Sequence, residues 1–520
     1  MKSAPALVTT TLAAAITLLS GCAVGPNYVR PALPEAKGYS PTALPESTVS
    51  SAAAPAQHFA AQRDIQADWW TLFQSPQLDA LIQQAFAANP DLEAALASLR
   101  AAQENVYAQR GFFFPTLQAS YSPSRTKLAG NEGGNSPGIQ GDGSVISTGE
   151  GTPASEGGSS PYNAPVIYNF HTAQLTVGYA PDVFGGIRRQ AESAQAEMNA
   201  QRFQFEAARI TLATNVVAAA LQDALLRRQI EITQAMIDDD VVAVGLAQRQ
   251  LQAGYASRLD LSTQQSALAQ AKQQLPPLRK QFEQNRNLMR SLIGATQEAE
   301  VPAFDLDSFK LPEQLPLSLP SQLVEQRPDV RAAEEQLHSA TAQVGVARAA
   351  RLPQFSIDAN FGGSASHFDQ MFWPSGQFFE VVLGISQSLF DGGTLKHRER
   401  AARESLRQSA AQYRSTVLSA FQNVADTLQA IHSDAEALQA ADETATAAKT
   451  ALDLTRRQHD RGYLDRLALI QAEQTYREAL LGQTEAVASR LGNTATLFQA
   501  LGGGWWQDHS EDKPAPRPAS

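Results

Sequence analysis

Residues 394–461 read TLKHRERAARESLRQSAAQYRSTVLSAFQNVADTLQAIHSDAEALQAADETATAAKTALDLTRRQHDR, a run with neither proline nor glycine between Gly393 and Gly462. Read as one helix at 1.5 Å per residue, it is roughly 100 Å long. The hydrocarbon of a bilayer is only about 30 Å thick, and Arg398, Glu399, Arg403, Glu404 and Arg407 cannot face lipid. The run is therefore a rod standing mostly in water. Its abundant alanine favours helix and lets neighbouring rods approach closely. Between Gly186 and Gly254 lies a second run of the same kind, without proline and interrupted by Gly245 alone. The rods end at Gly462-Tyr463 and Gly254-Tyr255, and helical patterns resume over Leu464–Leu491 and Arg258–Leu275. Each rod thus reads as one arm of an antiparallel hairpin. Pro276-Pro277 is expected to break or kink the first return helix, because proline lacks the amide donor and its ring crowds the preceding turn.

The two rods belong to a duplicated chain. Asn89-Pro90-Asp91-Leu92 opens a helical pattern that closes at Phe114-Pro115-Thr116-Leu117, and Arg327-Pro328-Asp329-Val330 opens another that closes at Leu352-Pro353-Gln354-Phe355. The interval from Pro90 to Pro328 equals that from Pro115 to Pro353. Val183-Phe184-Gly185-Gly186 answers Leu389-Phe390-Asp391-Gly392-Gly393 at a shorter interval, which Gly254 and Gly462 keep to within one residue. The difference falls in the Gly/Ser/Pro-rich stretch from Lys127 to Pro165, read as an exposed loop. Each half then has a helix (76–112 and 319–350), two alternating segments and a long hairpin.

The alternating segments have period two. Leu117, Ala119 and Tyr121 share one face against Gln118, Ser120 and Ser122. In the same way Ala173, Leu175, Val177 and Tyr179 oppose Thr172, Gln174, Thr176 and Gly178. Phe355, Ile357, Ala359 and Phe361 oppose Ser356, Asp358 and Asn360; Phe379, Val381, Leu383, Ile385 and Leu389 oppose Glu380, Gly384, Ser386 and Ser388. A lipid-facing barrel wall has this pattern, and so does a half-buried sheet in water. Four strands are too few to close a membrane barrel, the smallest having about 8, and open edges in lipid are prohibitive. If the strands lie in a membrane, several copies must share one barrel. Three would give twelve strands; counting alone leaves dimer and tetramer open.

Composition narrows the function. The 520-residue chain has a formal net charge of −11, which disfavours nucleic-acid binding because phosphates need a basic surface. Mean hydropathy is −0.26, unlike a bundle of membrane helices. Cys22 is the only cysteine, so neither an internal disulfide nor a cysteine-based metal site is expected. It follows Lys2, an apolar stretch and Leu19-Ser20-Gly21, the layout of a lipoprotein signal peptide cut before Cys22. Several acyl chains there, each buried CH₂ contributing about 0.8 kcal/mol, would anchor the chain permanently. With Ala23 rather than aspartate next, the usual inner-membrane retention signal is absent. The eight histidines form no HExxH, and Gly502-Gly503-Gly504 leads into a tail rather than a phosphate-cradling helix, so no catalytic residue, metal or cofactor is expected.

Together these residues resemble the TolC-like outer-membrane factor family, in the lipoprotein branch that serves resistance-nodulation-division multidrug efflux systems. The resemblance is carried by Cys22-Ala23-Val24-Gly25-Pro26-Asn27-Tyr28-Val29-Arg30-Pro31, by Trp69-Trp70-Thr71-Leu72-Phe73 with Pro76, Leu78 and Leu81, by Asn89-Pro90-Asp91-Leu92, and by both Gly-Gly exits and both hairpin turns. It implies a mainly α homotrimer with a twelve-stranded outer-membrane β-barrel, four strands per protomer, continuous with a long periplasmic α-helical barrel. It implies partnership with a periplasmic adaptor protein, an inner-membrane resistance-nodulation-division pump and outer-membrane lipid. Gly185, Gly186, Gly392 and Gly393 would turn strand into helix. The adaptor would dock on the tips: Gly254, Tyr255, Ser257, Arg258, Leu259 and Asp260, with Gly462, Tyr463, Asp465, Arg466 and Leu467. An ordinary capped turn explains Ser257 and Asp465 equally well.

Asp453, Asp460, Arg461, Asp465 and Arg466 are candidates for polar contacts that hold the tips shut. The family's acidic constriction residue, six positions after the second-turn glycine, is replaced by Ala468, with Gln471 three further on; Asp260 matches only in the first repeat. An acidic ring would therefore need Asp453, Asp460 or Asp465. The expected organisation is a signal peptide (1–21), a lipidated Pro/Ala/Ser-rich tether (22–70), a first repeat (71–300) with a long loop at 125–165, a second repeat (301–500) and a disordered tail (501–520). The function implied is a gated duct carrying small toxic compounds outward. A duct for secreted proteins and a non-conducting coiled-coil lipoprotein are the other readings.

Overall fold

The computed structural model describes residues 23–32, 38–39, 45–61, 64–128, 138–139, 145–146, 166–318 and 320–507. The signal segment, Cys22, most of the loop at 125–165 and the end of the tail from 508 lie outside the described residues. In chain order the elements are β1 (His58–Ala61), α1 (Pro76–Ala88), α2 (Pro90–Gly111), β2 (Thr116–Leu128), β3 (Gly138–Ile139), β4 (Val145–Ile146) and β5 (Val166–Tyr179). Then come α3 (Gly186–Gln252), α4 (Arg258–Leu292), β6 (Gln314–Leu317), α5 (Pro320–Gln326), α6 (Pro328–Ala349), β7 (Gln354–Ala365), β8 (Gln377–Ser386), α7 (Thr394–Asp460) and α8 (Arg466–Ala500). Both rods form as single helices of 67 residues, α3 and α7.

The chain divides into two compact units, each drawing on both repeats. The first comprises residues 1–28, 103–195 and 338–407, and the second residues 29–102, 196–337 and 408–520. The first unit holds an antiparallel sheet of order β2-β5-β7-β8. Its strands are 13, 14, 12 and 10 residues long, all at or beyond the 9–11 residues that a tilted strand needs to cross a bilayer. No helix among the described residues is long and apolar enough to do so.

The second unit is held by an aromatic and aliphatic core. Trp69 stacks on Phe498 with ring centroids 5.2 Å apart, and Phe73, Leu78, Ile82, Leu315 and Leu497 of the same unit are fully buried. The stretch expected to be a plain tether contributes β1, which pairs in parallel with β6 from His58↔Gln314 to Ala61↔Leu317.

Three expectations are corrected. The helix expected over 76–112 is two helices, and the one over 319–350 is also two. A residue before proline is disfavoured in helical geometry. Asn89 accordingly sits extended at ψ 121°, and its side chain accepts from the Leu92 amide to cap α2. Pro276-Pro277 does not break the return helix, which runs on to Leu292. Ala271 and Leu275 are buried against Ile237 on the facing rod, and that packing outweighs the missing amide donors. The last alternating segment stops at Ser386, short of Leu389. Asp391 accepts from the Gly393 and Leu395 amides and so diverts the chain into α7 before a ladder can continue.

Candidate functional site

Strand pairing decides which side chains share a face of the sheet. Leu117, Val177, Ala359 and Val381 lie in one row, and Ala119, Leu175, Phe361 and Phe379 in the next. Most of these large apolar side chains are exposed, with Phe379 at 81% and Leu117 at 70%. The other face has the row Gln118, Thr176, Asn360 and Glu380, where the Thr176 hydroxyl donates to Asn360 Oδ1 at 2.8 Å. Phe378 and Val382 interrupt this polar face. Burying such an apolar face in water would require a covering layer, whereas lipid covers it directly. Strands β2 and β8 each have one neighbour in this sheet, leaving two edges.

The sheet passes into the rods through glycine turns. Gly185, Gly392 and Gly393 have φ of 75°, 64° and 88°, the left-handed region that other residues rarely enter. Gly186 is the first residue of α3, facing the Ala349 methyl. The amides that open α7 are held by the Asp391 carboxylate, whose bond from the Leu395 amide above all keeps its pKa below the usual range. The chain immediately after Cys22 packs in the same unit. The Val24 amide donates to the Phe184 carbonyl at 3.1 Å, and Ala23 lies so close to Gly185 that a Cβ there would overlap it.

At the far ends of the rods, Gly254 and Gly462 both turn at φ 77°. Ser257 caps α4 in a reciprocal capping box with Asp260, and the Ser257 amide is the leading cause of that carboxylate's lowered pKa. Asp465 caps α8 by accepting from the Ala468 amide at 2.8 Å. Tyr255, Leu259 and Tyr463 are 87%, 74% and 77% exposed. Arg258 is also exposed, whereas Arg466 and Leu467 are half-buried. Of the gate candidates, Arg466 reaches Glu473 at 3.9 Å, alongside Arg456 at 3.2 Å. Asp453, Asp460 and Arg461 are exposed and are not brought together with them.

Ties between the two hairpins lie elsewhere, some of them at residues that sequence reading missed. Arg477 of α8 donates from Nε to Asp239 Oδ2 of α3 at 2.8 Å, and Gln474 donates to the neighbouring Asp240. Burial, and then the Asp239 charge, raise the Asp240 pKa above the ordinary carboxylate value. A signal was present: Asp239 precedes Gly254 by as many residues as Arg477 follows Gly462, so the two stand level above their turns.

Comparison with known proteins gives a consistent result. The family described as "Outer membrane efflux protein" matches residues 81–295 and 319–503. The chain is 29% identical over 467 residues to the pyoverdine export outer membrane protein OpmQ of Pseudomonas putida, covering 90% of this chain and 93% of that one. It is 27% identical over 500 residues to the probable efflux pump outer membrane protein TtgC of the same species, covering 95% of each. Among solved structures it is similar to the outer-membrane channel OprN, with a TM-score of 0.76 and 25% identity over 93% of this chain and all of that one.

Proposed function

The chain belongs to the outer membrane efflux protein family, and from that premise we propose that it is the gated exit duct of a tripartite efflux system. It acts in the outer membrane, as do its relatives, a pyoverdine export protein and a probable efflux pump protein. The observation that carries the reading is the sheet of the first unit: four membrane-length strands, an exposed apolar face, a polar face and two edges. In lipid those edges must be paired. Three copies laid edge to edge make twelve antiparallel strands, with the polar row of Gln118, Thr176, Asn360 and Glu380 lining the lumen. The rods prolong that lumen into the periplasm.

The exposed Tyr255, Leu259 and Tyr463 at the tips are a docking surface for a periplasmic adaptor, which couples the duct to an inner-membrane resistance-nodulation-division pump. The duct needs no catalytic group, because the pump supplies the energy and the channel lets small toxic compounds descend their gradient. Cys22 carries the lipid anchor. Its position next to Ala23, which packs beside the strand-to-helix turn at Gly185, would set the acyl chains level with the end of the sheet.

Conductance and subunit number measured on the same purified preparation test this reading. A trimer that inserts into planar bilayers, is near-silent at rest and opens on addition of its adaptor is the expected result. A monomer that never conducts would overturn it. The anchor has its own test: intact mass should show acylation that Cys22→Ser abolishes.

A further inference from the structure

The second unit contains a cavity of about 520 Å³, within the range typical of small-molecule sites. Much of its wall is apolar, from Leu306 and Phe309 after α4, Leu438 on α7, and Leu480, Val487 and Leu491 on α8. One wall residue is a charge taken almost wholly out of water: Arg490, 1% exposed. Its guanidinium meets only neutral acceptors. Nε donates to Gln57 Oε1 at 3.2 Å, and Nη2 donates to Thr48 Oγ1 at 3.0 Å and to the Pro55 carbonyl at 2.9 Å. Nη1 has no hydrogen-bond partner among the described residues. The Asp434 carboxylate, whose Oδ2 accepts from the Asn493 amide at 2.6 Å, acts on Arg490 through its field without a hydrogen bond between them.

A buried charge needs a counter-charge, because desolvation costs several kcal/mol per ion, and arginine cannot escape by giving up its proton. A structural clamp for residues 48–57 would use the three bonded N–H groups but leaves Nη1 unexplained. The charged part of the lining does not favour multivalent inorganic anions. Asp305 and Asp307 belong to it together with Lys310 and Arg228, and Arg228 is paired with Glu231 at 3.3 Å. We propose that this cavity binds an apolar organic carboxylate, its head group paired with the Arg490 charge and its hydrocarbon part along Leu306, Phe309, Leu480 and Val487. The site lies in the second unit and does not depend on the duct reading.

The probe is decanoate, titrated calorimetrically into the purified full-length protein in a non-ionic detergent. Arg490→Met removes the head-group partner, and Leu480→Trp fills the cavity while leaving the guanidinium in place. One saturable site per chain is expected, weakened about tenfold or more in both variants, since hydrogen bonds to charged groups are among the strong ones. Decanol and inorganic phosphate at matched concentration should bind far more weakly. Equal binding of decanol would remove the role of the charge, and equal binding of phosphate that of the apolar wall; either overturns the proposal. Undiminished decanoate binding to Leu480→Trp overturns it too, and that variant decides the matter if Arg490→Met does not fold.

Discussion

Asp240 is 3% exposed and sits beside Asp239, so its charged form is disfavoured in the folded chain by burial first and by the neighbouring carboxylate second. The folded pKa lies above the unfolded value. The penalty is therefore absent below the ordinary 3.8 and grows as pH rises through the folded value. Asp240→Asn should stabilise the protein at pH 7, and the gain should vanish near pH 3; thermal melting across that range is the measurement. A gain that persists undiminished at low pH would disprove the electrostatic cause. At Asp239 and Arg477 the sign is opposite, because the ion pair joins two hairpins. A double-mutant cycle with Asp239→Ala and Arg477→Ala should give a coupling of about 0.5–1 kcal/mol, the upper part of the range for partly exposed pairs. Either single variant should raise the resting conductance. At this scale the sequence was least legible. Ser257 and Asp465 announced themselves as caps because a cap depends on neighbours in the chain, whereas Asp239 and Arg477 meet only once two helices lie side by side.

The rods were read almost to their ends, for a related reason, whereas β2, β5 and β7 extend beyond the segments read for them and α4 runs 17 residues past Leu275. A helix of 67 residues is signalled by the lack of glycine and proline over its whole length, and a strand by alternation that any register preserves. The misreadings came where tertiary packing competed with a local rule. Pro276 and Pro277 remove two amide donors from α4, yet Ala271 and Leu275 on one side of them bury against Ile237 and the helix persists. The strain should remain measurable, since proline costs about 3 kcal/mol relative to alanine inside a helix. Replacing both by alanine should raise stability by about 1–3 kcal/mol and slow amide exchange across residues 258–292. Unchanged exchange would mean that the helix bears no cost there. The clasp of β1 with β6 was hidden because strands of four residues carry too little pattern to be told from extended chain.

For the molecule as a whole, the duplication and the strand count were legible, and they raise the question of what satisfies the edges of β2 and β8. In the order β2-β5-β7-β8 every neighbour is antiparallel, so β8 of one copy can continue into β2 of the next without breaking the alternation. Cysteine pairs placed one on β2 and one on β8, in a Cys22→Ser background, should cross-link between copies into a closed ladder ending at the trimer. Ladders that end at two or four would rule out the twelve-stranded ring, and cross-links confined to single chains would rule out any shared barrel. Those two edges also have a genetic consequence. A wall that no single chain can finish makes every copy hostage to its neighbours. In a cell making sound and defective chains in equal amounts, roughly one threefold ring in eight would be free of a faulty member. Alleles damaged along β2 or β8 should therefore be dominant over the normal one, whereas alleles that prevent the chain from being made should be recessive.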